Sequence, residues 1–130
     1  MKNKSYYILI LFIFIYSLYG DAISDDQFDF DITEVEILEN GNLYKGLKRG
    51  TIKTNDGSVI DADTFEYDKT TNILHAKGNV KIEDTIKNYI IFADDVTYYR
   101  NDERVITSGN SKGFDMSGQI ITANKFDYNK

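Results

Sequence analysis

The stretch IDADTFEYDKTTNILHAKGNVKIED, residues 60–84, decides the fold. Its apolar residues occupy alternate positions and are separated by polar ones, which is typical of β-strands with one apolar and one solvated face. A polar turn is predicted between Tyr67 and Asn72. The positions predicted to face inward are Ile60, Ala62, Phe65, Tyr67, Leu74, Ala76, Val80 and Ile82.

This stretch is one copy of a repeat. The pattern A-[DN]-x-x-x-Y starts at Ala62, Ala93 and Ala123, at spacings of 31 and 30 residues. An isoleucine precedes each alanine by two positions, and a large apolar residue precedes each tyrosine by two. A fixed period of this length predicts stacked units of one supersecondary type. The inward positions of the second copy are Ile91, Ala93, Val96 and Tyr98.

Each copy carries a predicted bend. The alternation of apolar and polar residues slips by one position between Ala62 and Phe65, and the slip recurs in the later copies. An extra residue at a fixed place predicts a bulge or corner that keeps the apolar side inward. Residues 23–130 are therefore predicted to form an all-β domain. Its repeats of about 30 residues would stack into a β-roll or β-jellyroll with two facing sheets.

The first 22 residues differ from the rest. Lys2 and Lys4 precede an apolar run from Tyr6 to Tyr16, and small or polar residues follow. This order predicts a secretory signal peptide over residues 1–22, cleaved after Gly20 or Ala22. The alternative is an anchor that stays in the membrane, although the apolar run is shorter than the roughly 20 residues that span a bilayer.

Charge and composition exclude several functions. Removing residues 1–20 takes away two lysines and no acidic residue, which changes the formal charge from -6 to -8. An acidic exported domain repels phosphate backbones, so nucleic acid is not an expected partner. The chain has no cysteine. A disulfide framework and a thiolate metal site are therefore excluded.

The polar residues do not predict an enzyme. His75 is the single histidine and lies on the polar face of a predicted strand, without partners for catalysis or metal binding. Asp63 and Asp94 recur with the repeat, but the third copy has Asn124 at that position. Asp and Asn stabilise turns locally, so a structural role is favoured over a carboxylate pair or a calcium site. We expect no catalytic residue, no metal and no cofactor.

The quoted motifs resemble a known family. The run ADTFEYDKTTNILHAKGNVKI, residues 62–82, followed by ADDVTYY, residues 93–99, resembles the OstA-like domain of lipopolysaccharide-transport proteins. Within that group the chain is most similar to the N-terminal periplasmic domain of the LPS-assembly protein LptD, and the bridge protein LptA shares the domain. The resemblance implies the periplasm or outer membrane of a Gram-negative bacterium. It also implies a β-jellyroll that holds lipid A acyl chains and joins other bridge proteins by its edge strands.

The resemblance suggests a ligand for the inward residues. Each residue taken alone is more typical of an ordinary hydrophobic core. The family resemblance instead favours an open slit that these residues line together. Tyr128 and Phe126 of the third copy are further candidates. The predicted lipid-lining residues are Ile60, Ala62, Phe65, Tyr67, Leu74, Ala76, Val80, Ile82, Ile91, Ala93, Val96 and Tyr98.

Two features depart from the family pattern. The second copy has Ser111 and Gly113 where the first has Val80 and Ile82, which interrupts the apolar lane. The sequence also ends within the third copy, so we expect a fragment of a longer protein or a short stand-alone member. The main alternative is a structural β-solenoid with a solid core and no ligand. Others are an inner-membrane-anchored relative such as LptC and a β-helix enzyme acting on polysaccharide.

Overall fold

The computed structural model describes residues 28–130, so the signal peptide predicted for residues 1–22 lies outside the described residues. The described range contains twelve β-strands, two short 3-10 turns and no α-helix. The strands are β1 (Phe28–Asp31), β2 (Val35–Leu38), β3 (Leu43–Gly46), β4 (Gly50–Thr54), β5 (Ser58–Ala62), β6 (Thr64–Asp68), β7 (Ile73–Asp84), β8 (Tyr89–Tyr99), β9 (Arg104–Ser108), β10 (Ser111–Asp115), β11 (Ile120–Ala123) and β12 (Asp127–Asn129).

The strands form one antiparallel sheet that is folded over. The long strands β7 and β8 pair along both of their halves. The C-terminal part of β7 pairs with β5, and β4 and β1 follow in the sheet. The N-terminal part of β8 pairs with β10, and β11 follows. This part is half-sheet 1. The N-terminal part of β7 pairs with β6, and β3 and β2 follow in the sheet. The C-terminal part of β8 pairs with β9, and β12 follows. This part is half-sheet 2.

The corner between the half-sheets is made by the repeated motifs. β5 ends at Ala62 and β6 begins at Thr64, so the predicted slip lies where the chain passes between half-sheets. The partner strand β7 has its register shift between Lys77 and Val80. Gly78 and Asn79 have positive φ there, at 80° and 46°. The Asp63 amide donates to the carbonyl of Gly78 at 3.0 Å. The Ala-Asp and Gly-Asn motifs are therefore two sides of one bend.

The recurring aspartates hold this corner. Asp63 accepts hydrogen bonds from Asn79 Nδ2 and Arg49 Nη1, both at 2.8 Å. Asp94 accepts one from Asn110 Nδ2 at 2.9 Å in the next copy. These contacts explain why an acid and a Gly-Asn pair recur together. Within residues 28–130, no group of three or more histidine or acidic side chains is placed to hold a metal ion.

The two half-sheets pack face to face. The ring of Phe28 in half-sheet 1 contacts the rings of Tyr67 and Tyr98 in half-sheet 2, with centroid distances of 4.7 and 6.1 Å. Near the C-terminal end, Tyr89 and Tyr128 cross at 5.9 Å. The apolar core therefore lies between the half-sheets, as a β-jellyroll requires. No helix in the described part of the chain is long and apolar enough to cross a membrane.

Candidate functional site

The predicted lipid-lining residues form the core between the half-sheets. All twelve are buried, and none is more than 8% exposed. They alternate with outward residues on β5 to β8, in the order that the sequence predicts. Their inward orientation is therefore observed, whereas their contact with a lipid stays a prediction.

The N-terminal end of this core is filled by aromatic rings. Phe30 stacks on Tyr44 with a centroid distance of 5.9 Å and an interplanar angle of 13°. Phe28 packs edge-on against Tyr67 at 4.7 Å. The Tyr67 hydroxyl donates to Asn72 Oδ1 at 2.8 Å. Aromatic packing of this kind leaves little room for a ligand at this end.

A polar cluster bridges the side opposite the corner. Lys130 Nζ lies 2.8 Å from Asp56 Oδ1 and 3.7 Å from Asp84 Oδ2. It also donates to the Ser58 hydroxyl and lies 5.8 Å from the centre of the Tyr98 ring. Lys130 follows β12 in half-sheet 2, whereas Asp56, Ser58 and Asp84 belong to half-sheet 1. We call these four residues the mouth lock, because they tie the free margins of the half-sheets together.

The mouth lock contains strongly held ionised groups. Burial alone would raise the pKa of Asp56, but hydrogen bonds from Lys130, Thr54 and Tyr98 and the lysine charge outweigh it and hold that pKa well below its usual range. The Tyr98 hydroxyl donates to Asp56 Oδ2 at 2.6 Å. Burial and this hydrogen bond raise the pKa of Tyr98. At neutral pH the lock therefore contains an ion pair that lies beside the neutral phenol of Tyr98, an arrangement suited to structure.

An apolar cavity of about 300 Å³ lies beyond the lock, towards the C-terminal end. Half-sheet 1 supplies its wall from β8, β10 and β11, and the segment around β12 supplies the facing wall. The cavity is at the lower end of the roughly 300–1,000 Å³ usual for ligand pockets. The residues that matter most to its shape are Tyr89, Ile91, Gly113, Ile121, Phe126 and Tyr128.

Gly113 creates this cavity. It stands where the first copy of the repeat has Ile82, and it pairs with Ile91 of β8 and Ile121 of β11. A Cβ atom built on Gly113 meets only the Phe126 ring, at 3.9 Å, which is ordinary contact. The sequence interruption predicted at this position is therefore a widening of the apolar lane.

Sequence reasoning located this cavity only in part. Of the twelve predicted lining residues, Ile91 is the one that borders it. Phe126 and Tyr128 were further candidates from the third copy, and both line it. Tyr89 lies two positions before Ile91 and continues the same alternation, so its inward position could have been predicted. Gly113 was identified in the sequence as an interruption of the apolar lane, but nothing in the sequence indicated that the interruption leaves space beside Phe126.

Both open ends of the folded sheet expose apolar side chains. In the described chain, four strands pair on one side only: β1, β2, β11 and β12. Val35 and Ile37 on β2 are exposed, as are Ile120 and Ile121 on β11. A strand edge with unpaired backbone groups and apolar side chains is a template for another strand.

The hollow beside His75 on the outer face of the described chain differs in character from the apolar cavity. A hollow of about 360 Å³ near His75 is lined mostly by charged and polar residues such as Lys45 and Glu66. The His75 ring nitrogen Nδ1 lies 3.1 Å from the Thr97 hydroxyl, which gives it a neutral partner on the neighbouring strand. His75 therefore faces outward, as the sequence predicts, and its contact is structural.

These features define an all-β jellyroll with an apolar lane between its half-sheets. No protein-family model matches the chain, and no curated protein matches it. Among solved structures, it is similar to LptH of Pseudomonas aeruginosa, the LptA-homologous periplasmic component of the lipopolysaccharide transport device. The TM-score is 0.68 with 13% sequence identity, over 78% of this chain and 75% of that chain. At this identity the similarity shows the fold, which is an LptA-like β-jellyroll.

Proposed function

We propose that this chain is a non-enzymatic periplasmic domain that binds lipopolysaccharide and takes part in its transport to the outer membrane of a Gram-negative bacterium. The observation that carries the proposal is the apolar cavity between the half-sheets of an LptA-like jellyroll. LptH, which has this fold, is a component of a lipopolysaccharide transport device. The fold and the cavity together support a lipid acyl chain as the ligand.

Apolar burial supplies the binding energy. Each methylene group removed from water contributes about 0.8 kcal/mol, so affinity grows with the length of acyl chain that the cavity buries. The chain is acidic, with a formal charge of -6. Anionic head groups are therefore repelled and stay in solvent while the acyl chain enters.

The open edges supply the proposed partner contacts. Another bridge protein of the same fold could add a strand to β2 or β11, with backbone pairing giving affinity. The motifs of residues 62–99 favour the N-terminal periplasmic domain of an LptD over a free bridge protein of the LptA type. The complete open reading frame distinguishes the two, since only the former continues into an outer-membrane barrel.

A structural β-solenoid without ligand is the second candidate. Its support is the packing of the predicted lane, where Ile60, Phe65 and Tyr98 are each at most 3% exposed. The mouth lock also closes the lane along the side where an acyl chain would slide in. Under this alternative the cavity beside Gly113 is a packing defect.

Photo-crosslinking in the periplasm of a lipopolysaccharide-producing host separates the two candidates. A photoreactive amino acid replaces Ile121, which lines the cavity, and Thr122 is the matched control on the outward side of β11. The proposal expects lipopolysaccharide adducts at position 121 and none at position 122. A folded protein without adducts at either position would support the solenoid instead.

The predicted lane needs its own crosslinking positions. Phe65 is buried in the core and Glu66 is the exposed neighbour on the same strand. Adducts at Phe65 would mean that the lock opens and the whole lane admits lipid. Adducts at Ile121 without adducts at Phe65 would restrict lipid to the C-terminal cavity.

A further inference from the structure

A basic residue lies two positions after the repeat tyrosine in each of the three copies. These residues are Lys69, Arg100 and Lys130. Each one follows a strand of half-sheet 2 on the side opposite the corner, which we call the mouth. Arg100 and Lys130 reach across the mouth to half-sheet 1, so the repeat places cations where the two half-sheets meet.

The Arg100 contact lies beside the mouth lock. Arg100 Nη2 donates to Asn55 Oδ1 at 2.6 Å. Asn55 adjoins Asp56, whose two carboxylate oxygens meet Lys130 and the Tyr98 hydroxyl. These contacts from half-sheet 2 therefore converge on the turn between β4 and β5. We call the whole set the clasp, which consists of the mouth lock, Asn55, Tyr98 and Arg100.

The turn that the clasp holds is an integral part of half-sheet 1. The Gly57 carbonyl accepts from the Thr85 amide and hydroxyl at 3.0 and 2.8 Å. The Ser58 amide donates to Thr54 Oγ1 at 3.0 Å. On the far side, β7 and β8 run from one half-sheet into the other through the corner. Separation of the half-sheets at the mouth therefore has the corner as its hinge and breaks the clasp.

The clasp closes an apolar lane with polar contacts. A buried ion pair adds little net stability compared with apolar side chains of the same volume, so a permanently closed sandwich gains more from apolar contacts at this margin. Asn55 is exposed and Asp56 is partly exposed, so water can replace their hydrogen bonds when the margins separate. The chemistry of the clasp therefore suits a contact that opens and closes again.

We propose that the clasp is a gate that holds the mouth shut in the free protein and opens to let an acyl chain enter the lane sideways. The inference rests on the proposed function for the class of ligand, and it adds the route of entry. The predicted lining residues of the closed lane are at most 8% exposed, so only the open state can bind lipid along the lane. A ligand that binds one state shifts the population towards that state.

Double electron–electron resonance between two spin labels on the folded full chain tests the gate. The chain has no cysteine, so two introduced cysteines carry the labels. Lys87→Cys and Asp102→Cys place them on exposed turns at opposite margins of the mouth. Thr71→Cys with Asp102→Cys is the control pair, because both positions lie at the margin of half-sheet 2. We expect purified lipopolysaccharide to add a second, longer distance to the first pair and to leave the control pair unchanged.

The substitution Asp56→Asn weakens the clasp and keeps the shape of the side chain. It removes the negative charge that Lys130 contacts, and loss of a charge-assisted hydrogen bond should raise the open fraction about tenfold. The lipopolysaccharide concentration that opens half of the molecules should fall by about the same factor. Asp61→Asn is the matched control, because it changes the charge equally on the outward face of β5.

Asn55→Ala is a second variant that keeps the test decisive if Asp56→Asn does not fold. Asn55 is exposed, and its replacement removes the acceptor of the Arg100 hydrogen bond without leaving a buried acid unpaired. It should also lower the lipopolysaccharide concentration needed for opening, by a smaller factor than Asp56→Asn.

Each result separates the gate from the proposed function. The inference would be overturned by a cross-mouth distance that lipopolysaccharide leaves unchanged, or by clasp variants that open at the wild-type concentration. A change in the control pair would also overturn it, since the protein would then unfold and not open at its mouth. In each of these cases, lipopolysaccharide adducts at position 121 would still support the proposed function. If adducts are also absent at positions 65 and 121, the proposed function fails together with the inference.

Discussion

The Lys130 side chain ties the free margins of the two half-sheets together. Its side chain is 6% exposed and faces Asp84, which is 2% exposed, and Asp56 at the margin. A buried cation is tolerated only when it is paired and hydrogen-bonded, and removal of one partner leaves the other charges uncompensated. Because Lys130 and its partners lie on different half-sheets, the ion pairs of the lock limit how far the half-sheets can separate.

Replacement of Lys130 by methionine is predicted to destabilise the fold by about 2 kcal/mol, because it keeps the apolar stem and leaves two carboxylates without their cation. The expected loss is smaller than for a fully buried pair, since Asp56 keeps some contact with solvent. The urea midpoint of unfolding measures it. Lys125→Met is the control, because Lys125 is exposed and its nearest carboxylate oxygen, on Asp127, is 3.8 Å away. Equal midpoints for the two variants would contradict a structural role for the lock.

The same ion pair predicts a pH dependence. Asp56 has a folded-state pKa below its ordinary value, so its contribution to stability is complete above the unfolded pKa of about 3.9. That contribution is lost as the pH falls further and the folded carboxylate becomes protonated. The stability difference between the wild type and Lys130→Met should therefore be constant from pH 7 to about 5 and shrink towards pH 3. Urea unfolding at these three pH values checks it, and an unchanged gap at pH 3 would refute it.

At the scale of the elements, the corner is the feature that each repeat reproduces. Gly78 has φ of 80°, and a Cβ atom there would lie 2.6 Å from Asp63 Oδ2. Gly118 has the same φ, but nothing lies within 4 Å of its Cβ position. A comparison of the two glycines therefore separates the effect of backbone strain, which both share, from the effect of crowding by Asp63, which only Gly78 has.

Alanine at position 78 is predicted to cost about 2–3 kcal/mol, against about 1 kcal/mol at position 118, because only the former displaces the Asp63 carboxylate as well as straining the backbone. Thermal unfolding followed by far-ultraviolet circular dichroism measures both variants. A corner that tolerates Gly78→Ala as well as Gly118→Ala would show that the Asp63 contact has little energetic weight.

The strands and the corner could be predicted from the sequence, whereas the contacts between distant elements could not. Alternation and the slip at Ala62 predicted the strands and their corner, since both depend on residues close in the chain. The all-β jellyroll prediction is confirmed. The mouth lock was not predicted, because Lys130 and Ser58 are 72 positions apart and nothing local links them. The cavity was located only in part for another reason: its cause is the side chain that Gly113 lacks.

The edge strands offer a prediction about assembly. Ile120 is exposed on β11, which pairs only with β10 in the described chain. A lysine on a sheet edge opposes strand addition. Ile120→Lys is therefore expected to reduce concentration-dependent association in sedimentation velocity while leaving the melting temperature within about 1 °C of the wild type. Ile86→Lys, at an exposed site between β7 and β8, should associate like the wild type. Equal association of both variants would mean that the β11 edge is not a contact.

At the scale of the whole molecule, the space between the half-sheets is densely packed over most of its length and is incompletely filled at its C-terminal end. The regions around Ile60 and Tyr98 are closed, whereas the region around Gly113 retains about 300 Å³ of apolar space. Apolar side chains that line an open groove stay in contact with water and so contribute less to stability than buried ones. A repeat that has isoleucine in one copy and glycine in the next therefore leaves an open apolar groove at this position, as a ligand site would require.

The substitution Gly113→Ile tests whether filling the cavity raises stability and abolishes lipid binding. The substitution restores the residue of the first copy, and the nearest obstacle to its Cβ, the Phe126 ring, is at 3.9 Å. We expect the free energy of unfolding to rise by about 1 kcal/mol as apolar surface is buried, and lipopolysaccharide adducts at position 121 to disappear. Gly113→Ala, which leaves most of the space, should keep them. Loss of stability in Gly113→Ile would mean that the site cannot accept the larger side chain. Undiminished adducts in a stable Gly113→Ile protein would place the lipid outside this cavity.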